Sequence, residues 1–341
     1  MKKSQDRIKL GLSALIISLA LTACGDKSTG SESPSVSPSP TSASTPAPTE
    51  TSSSTPSKES DELILKQFRD LALASPPTDE LLASFKQSIA EIQPAQADEL
   101  IREMEAYYKK NLPEAEKKFE AANVQEELMK LEWPITDEQI QAIKGDSVRE
   151  LAQQTIAGGY KLETAEGFVF PVIDYGQLVA YGDKLTISMK AYLDIMAAES
   201  DKATAKDAGL AITWDELASR TLAAESYVVT FPDTPERASV EQTYLNYLNM
   251  YLIGLNNTPI FDYDTFVILP EVKNQYEQMA ASHAGTVTGQ LTKEMLARLN
   301  DSNGAVFAKN KNGEQTDIPA LKQFRDKIES AARSKLPPSK N

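Results

Sequence analysis

The run PAQADELIREMEAYYKKNL, residues 94–112, opens on a proline suited to a first helical turn. It carries Ala97, Leu100, Ile101, Met104, Tyr107, Tyr108 and Leu112 at spacings of three and four. Such spacings gather on one face only in an α-helix. Pro113 predicts the end of this helix and the first turn of another that carries Ala121, Val124, Leu128 and Leu131. Three segments read as capped helix starts: Thr78-Asp79-Glu80, Thr136 through Gln139, and Thr213-Trp214-Asp215-Glu216, the last with the full capping-box pattern. Short helices joined at prolines predict antiparallel helical hairpins.

Gly158-Gly159 marks a helix stop. Residues 160–164 and 168–173, around Glu166-Gly167, read as a β-hairpin, the one strong strand signal. Helices are expected again near 175–182, 188–199, 214–229, 235–253, 270–282, 287–299 and 319–334. The fold class is therefore mainly α: a multi-helix bundle of antiparallel hairpins with one small β-hairpin near 160–173. The segment from Pro235 is apolar nearly all round, through Val240, Tyr244, Leu248 and Tyr251, and so predicts a central helix.

Composition narrows the function. The chain of 341 residues has 35 Lys+Arg against 49 Asp+Glu, with one Cys and one His. A net charge of −14 argues against nucleic acid as a partner, because such binding needs clustered basic residues. One Cys and one His make neither an internal disulfide nor a Cys/His metal site. No cofactor motif is recognisable.

Lys2, Lys3, Arg7 and Lys9 precede an uncharged apolar run, Leu10 to Ala23. Those 14 residues are short of the ~20 that a membrane-spanning helix needs, and they suit an export signal over residues 1–23. Leu21-Thr22-Ala23-Cys24 follows directly and resembles the lipobox of bacterial lipoproteins at all four positions. The resemblance implies cleavage before Cys24 and a diacylglycerol on its thiol. The chain would then be held on the outer face of a cell membrane, its partner the lipid bilayer, with two acyl chains sufficing for a stable anchor. From 24 to 60 a Ser/Thr/Pro linker is expected, because 25 of residues 25–60 are of those three types and Val36 alone is strongly apolar.

Residues 61–341 are long enough for one large domain or two smaller ones, divided as a helical half, 61–157, and an aromatic-rich half, 158–341. Residues 160–266 hold 15 of the 24 aromatics. This part is similar to lipoproteins of Gram-positive bacilli in Glu166 through Tyr175, Met189 through Ser200 and Gly254 through Pro259. That likeness implies no activity.

No nucleophile-elbow or P-loop pattern occurs, and no catalytic residue is assigned. His283 reads as a residue at a helix carboxyl end. It lacks the flanking Gly and Glu of imelysin-type iron-uptake lipoproteins. Asp174 reads as a helix amino-cap, and Asp301-Ser302-Asn303-Gly304 as a turn. The candidate ligand-binding residues are Glu199, Arg220, Trp214, Asp262 and Asp264. Glu199 falls on the stripe of Met189, Tyr192 and Met196, while Arg220 borders that of Leu217, Thr221, Ala224 and Val228. A carboxylate on such a stripe must be paired, protonated or near the helix end where water reaches it, and Arg220 is the expected partner. Asp262 and Asp264 flank Tyr263, which puts two carboxylates on one side of an extended segment. These features favour a non-enzymatic module that binds a small ligand or an envelope partner. The alternatives are a carboxylate-dependent hydrolase of envelope glycans, or the binding subunit of an importer.

Overall fold

The computed structural model describes residues 58–339; the expected export signal, Cys24 and most of the expected linker lie outside them. The first helix begins within the span expected to be linker. Lys58, Glu59 and Ser60 already belong to α1 (Lys58–Leu73), which buries Asp61, Leu65 and Phe68. A helix gains most of its stability from the face it packs, and this one packs on α3.

α2 (Thr78–Ile89) and α3 (Pro94–Phe119) complete the first group. Thr78 is the first helical residue and not the cap; Pro77 takes that place without a side-chain bond. α3 buries Leu100, Ile101, Met104, Tyr107 and Tyr108, as the opening stretch predicts. It does not stop at Pro113, which lies inside the helix. The proline fits because the helix has nearly left the core there: Asn111 Nδ2 donates to the Tyr107 carbonyl at 2.8 Å, and burial resumes only at Phe119.

α4 (Ala122–Leu128), α5 (Asp137–Gln141) and α6 (Asp146–Ala157) follow. α5 starts on the expected cap, Thr136, which makes a full capping box with Gln139. Gly158 caps α6, and Gly159 follows at φ +87°, where an added Cβ would collide with the Tyr108 hydroxyl. The chain then forms β1 (Tyr160–Ala165) and β2 (Phe168–Ile173), paired antiparallel from Tyr160–Ile173 to Ala165–Phe168. Three further two-stranded antiparallel hairpins occur where one was expected: β3 (Ala205–Lys206) with β4 (Gly209–Leu210), β5 (Gly254–Leu255) with β6 (Thr258–Pro259), and β7 (Phe307–Lys309) with β8 (Gln315–Asp317). At two or three residues per strand they are too short for side-chain alternation to register.

The remaining helices are α7 (Tyr175–Val179), α8 (Ile187–Asp201), α9 (Trp214–Thr230), α10 (Arg237–Ile253), α11 (Pro270–Ser282), α12 (Val287–Asp301), α13 (Pro319–Arg325) and α14 (Ile328–Lys335). The single helix expected over 319–334 is therefore two. α9 and α10 run antiparallel: Trp214 meets Tyr251 edge-on at 6.5 Å at one end, and Tyr227 shares a 3.0 Å hydrogen bond with Thr234 at the other. α10 is central, with Val240, Tyr244, Leu248 and Tyr251 fully buried. Asp174 sits at the amino-cap of α7, but its carboxylate accepts from Gln177 Nε2 instead of capping the helix. His283 caps the carboxyl end of α11, and of residues 301–304 Asp301 ends α12 while 302–304 form a turn.

One hydrophobic cluster runs from Leu65 to Leu336 and so joins residues on both sides of position 157. A smaller one gathers Phe119, Val124, Leu128, Ile140, Val148 and Val169 under the β1–β2 hairpin. The larger core also encloses charge. Glu105 accepts hydrogen bonds from the hydroxyls of Tyr175, at 2.6 Å, and Tyr192. Asp98 accepts from Thr186 N and Oγ1 at 3.0 and 2.6 Å, and Arg102 pairs with buried Glu236. These three α3 residues, spaced four and three apart, pin α3 to the starts of α8 and α10.

Candidate functional site

α8 carries Ala191, Asp194, Ile195 and Ala198, a stripe spaced three, four and seven. It faces Arg220, Ala223 and Tyr227 on α9. Alanine at three of these positions leaves the helices short of side-chain volume between them. The result is an open groove of about 310 Å³. Phe231, just beyond α9, and Tyr247 of α10 complete an aromatic lining with Tyr227. The rings of Tyr227 and Phe231 stand 5.2 Å apart.

One end of the groove is a closed polar network. Glu199 Oε2 accepts from Thr204 Oγ1 at 2.6 Å and Tyr247 Oη at 2.8 Å, and lies 3.5 Å from Arg220 Nη1; Glu199 Oε1 accepts from Thr204 N at 3.0 Å. Arg220 Nη1 also donates to the Lys202 carbonyl at 2.8 Å and to Thr204 Oγ1 at 2.9 Å, while Nη2 reaches Glu216 at 2.6 Å. Lys202 Nζ closes the circuit on Glu216 at 2.8 Å. The expected capping box at Thr213 is therefore only half made. Thr213 accepts from Glu216 N, but the Glu216 side chain serves Arg220 and Lys202.

Burial pushes the Tyr247 phenol up to about 12, with neighbouring Glu199 adding to the rise; burial also takes Tyr227 to about 12. Both hydroxyls therefore stay protonated, and Tyr247 acts as a donor. At the other end Asp194 and Ser226 are exposed and have no partner among the described residues.

Of the sequence candidates, only Arg220 lines this groove, with Glu199 behind it in the polar network. They differ in depth: the Arg220 side chain is 9% exposed and that of Glu199 43%. Glu199 closes the last turn of α8, where water still reaches it. Trp214 meets Tyr251 edge-on instead and does not line the groove. Asp262 and Asp264 belong to the loop after β6. The Asp262 carboxylate accepts from Thr265 Oγ1 and N at 2.8 Å each, which holds it below the usual range. Asp264 offers its backbone carbonyl to Lys309. Thr265 thus engages the Asp262 carboxylate within this exposed loop.

Sequence reading missed Tyr227, Phe231, Tyr247, Asp194 and Ser226. The available signal was Ala191, Ala198 and Ala223, small residues on facing stripes of neighbouring helices. A larger hollow of about 590 Å³ lies where α2 begins, beside α3 and α6. Charges of both signs, Asp79, Glu114 and Lys118, surround it, and its phenol Tyr107 is already bonded to the Pro76 carbonyl. The α8–α9 groove is the better candidate because it joins an apolar wall to unpaired polar groups. Among the described residues no cluster of His, Cys, Asp and Glu suits a metal ion, and no helix is long and apolar enough to cross a membrane. No protein-family model, curated protein or solved structure matches this chain.

Proposed function

We propose that the protein is a lipid-anchored extracytoplasmic module that binds a small ligand in the α8–α9–α10 groove and carries out no chemistry of its own. The observation that supports this reading is the groove itself: three aromatic rings and small alanines beside a rigid polar network, with Asp194 and Ser226 left open. Glu199, Arg220 and Glu216 satisfy one another, which suits a wall and not a reacting centre. The lipobox residues Leu21 to Cys24 and the Ser/Thr/Pro segment after them support an anchor with a spacer, so that the groove would work near, but off, the membrane surface.

Native mass spectrometry of the full chain, purified from its host in a non-ionic detergent, tests the binding. A small-molecule adduct is expected, and Ala223→Phe, which fills the groove, should remove it. An adduct that survives Ala223→Phe, or none at all, counts against the groove.

A further inference from the structure

We infer that the groove selects an organic cation: a compact alkylammonium head on a short apolar body. The inference rests on the groove being a ligand site, and it names the class of ligand. Two charged side chains line the groove, Arg220 and Asp194. The Arg220 guanidinium charge is balanced inside the protein, since it faces Glu199 and Glu216 and donates to the Lys202 carbonyl. The Asp194 carboxylate has no hydrogen bond or ion pair among the described residues. The charge left for a ligand is therefore negative.

The walls suit a cation as well. Tyr227, Phe231 and Tyr247 line the hollow of about 310 Å³, and the first two have rings 5.2 Å apart. Aromatic faces carry the negative end of a quadrupole and attract ammonium groups, most strongly where water is excluded. Tyr247 donates its hydroxyl hydrogen to Glu199 at 2.8 Å, which leaves its ring the richer in electrons. An alkylammonium also keeps its charge while shedding water more readily than a metal ion, as an apolar wall requires. An anionic ligand would compete with Glu199 and Glu216 for the Arg220 charge and would meet Asp194 at the rim.

The test is isothermal titration of the full chain, in non-ionic detergent, with three molecules of one shape: choline, neutral 3,3-dimethylbutan-1-ol and anionic 3,3-dimethylbutanoate. Choline should bind about tenfold or more tightly than the alcohol, and the acid should not bind. Asp194→Asn, an exposed change on α8 that the fold tolerates, should weaken choline about tenfold and leave the alcohol unchanged. Phe231→Leu should weaken choline, whereas Glu91→Gln, an exposed change outside the groove, should not. Equal binding of choline and alcohol, preference for the acid, or no effect of Asp194→Asn overturns cation selection while leaving the groove a ligand site. No heat from choline overturns it too; the adduct experiment then decides separately whether the groove binds anything.

Discussion

Arg220 is the buried member of its pair with Glu199: the guanidinium is shielded by α8 and α9 while the carboxylate, 3.5 Å away, keeps nearly half its surface in water. A screened contact of that length carries little of the stability by itself. Arg220→Met loses bonds to Lys202, Thr204 and Glu216 together, and urea unfolding should show a loss of about 2–3 kcal/mol. Glu199→Gln should cost about 1 kcal/mol. Their coupling in a double-mutant cycle should be about 0.5–1 kcal/mol. A coupling well above this would place the pair in a drier setting than the geometry indicates.

Glu225 is a stronger device. It is buried on α9 and accepts from Val287 N at 2.5 Å, Thr288 N at 2.9 Å and Thr288 Oγ1 at 2.6 Å, all at the start of α12. Those amide groups have no partner inside their own helix, and the helix dipole favours a negative charge there. Glu225→Ala should cost about 3 kcal/mol in urea unfolding and loosen α12 first, as seen by amide exchange. Uniform loss of protection throughout the chain would contradict that order.

Alkaline pH should unfold the protein. Burial raises the phenols of Tyr227 and Tyr247 from about 10 to about 12, and those of Tyr108, Tyr192 and Tyr276 further. A pKa raised on folding contributes stability that is complete below the unfolded value and lost as pH rises through the folded one. Between pH 10 and 12 the unfolded chain releases protons that the folded chain retains. Each such group then lowers stability by about 1.4 kcal/mol per pH unit. Phenolate absorbance at 295 nm should appear together with the loss of helical circular dichroism. Absorbance that rises fully while helicity persists would mean the phenols are accessible.

Gly254 turns the chain from α10 into β5 at φ +74°, and a Cβ there would lie 2.8 Å from the Thr258 carbonyl oxygen. Gly254→Ala should cost about 1–3 kcal/mol. Gly285→Ala meets nothing within 4 Å and should change thermal stability by less than about 0.5 kcal/mol.

Cys24→Ser should abolish the membrane anchor. Labelling with a fatty acid, followed by fractionation, should show the natural chain labelled and sedimenting with membranes and the variant neither. A variant that still labels and sediments would remove the lipobox reading.

The helices were legible in the sequence because their information is local. Three- and four-residue spacing put Leu100, Ile101 and Met104 on one face of α3, and the bounds expected for α8 to α12 came within a few residues. Gly158 and the capping box at Thr136 are likewise decided by neighbouring residues. Pro113 was misread because a helix tolerates proline where its carbonyls face water, and exposure is a tertiary property. The split of 319–334 and the three short hairpins escaped for want of length.

The groove was decided by tertiary structure alone. That Glu199 and Arg220 lie on adjoining stripes is readable from spacing; that the arginine is the buried one depends on what packs around each. Asp194 looks like any solvated acid until α9 and α10 bring Tyr227, Phe231 and Tyr247 beside it. Glu225 takes its meaning from amides more than sixty residues away. Periodicity tells which face of a helix turns inward, but only packing of distant helices determines which side chains meet there, because those contacts are made through space and leave no spacing in the chain.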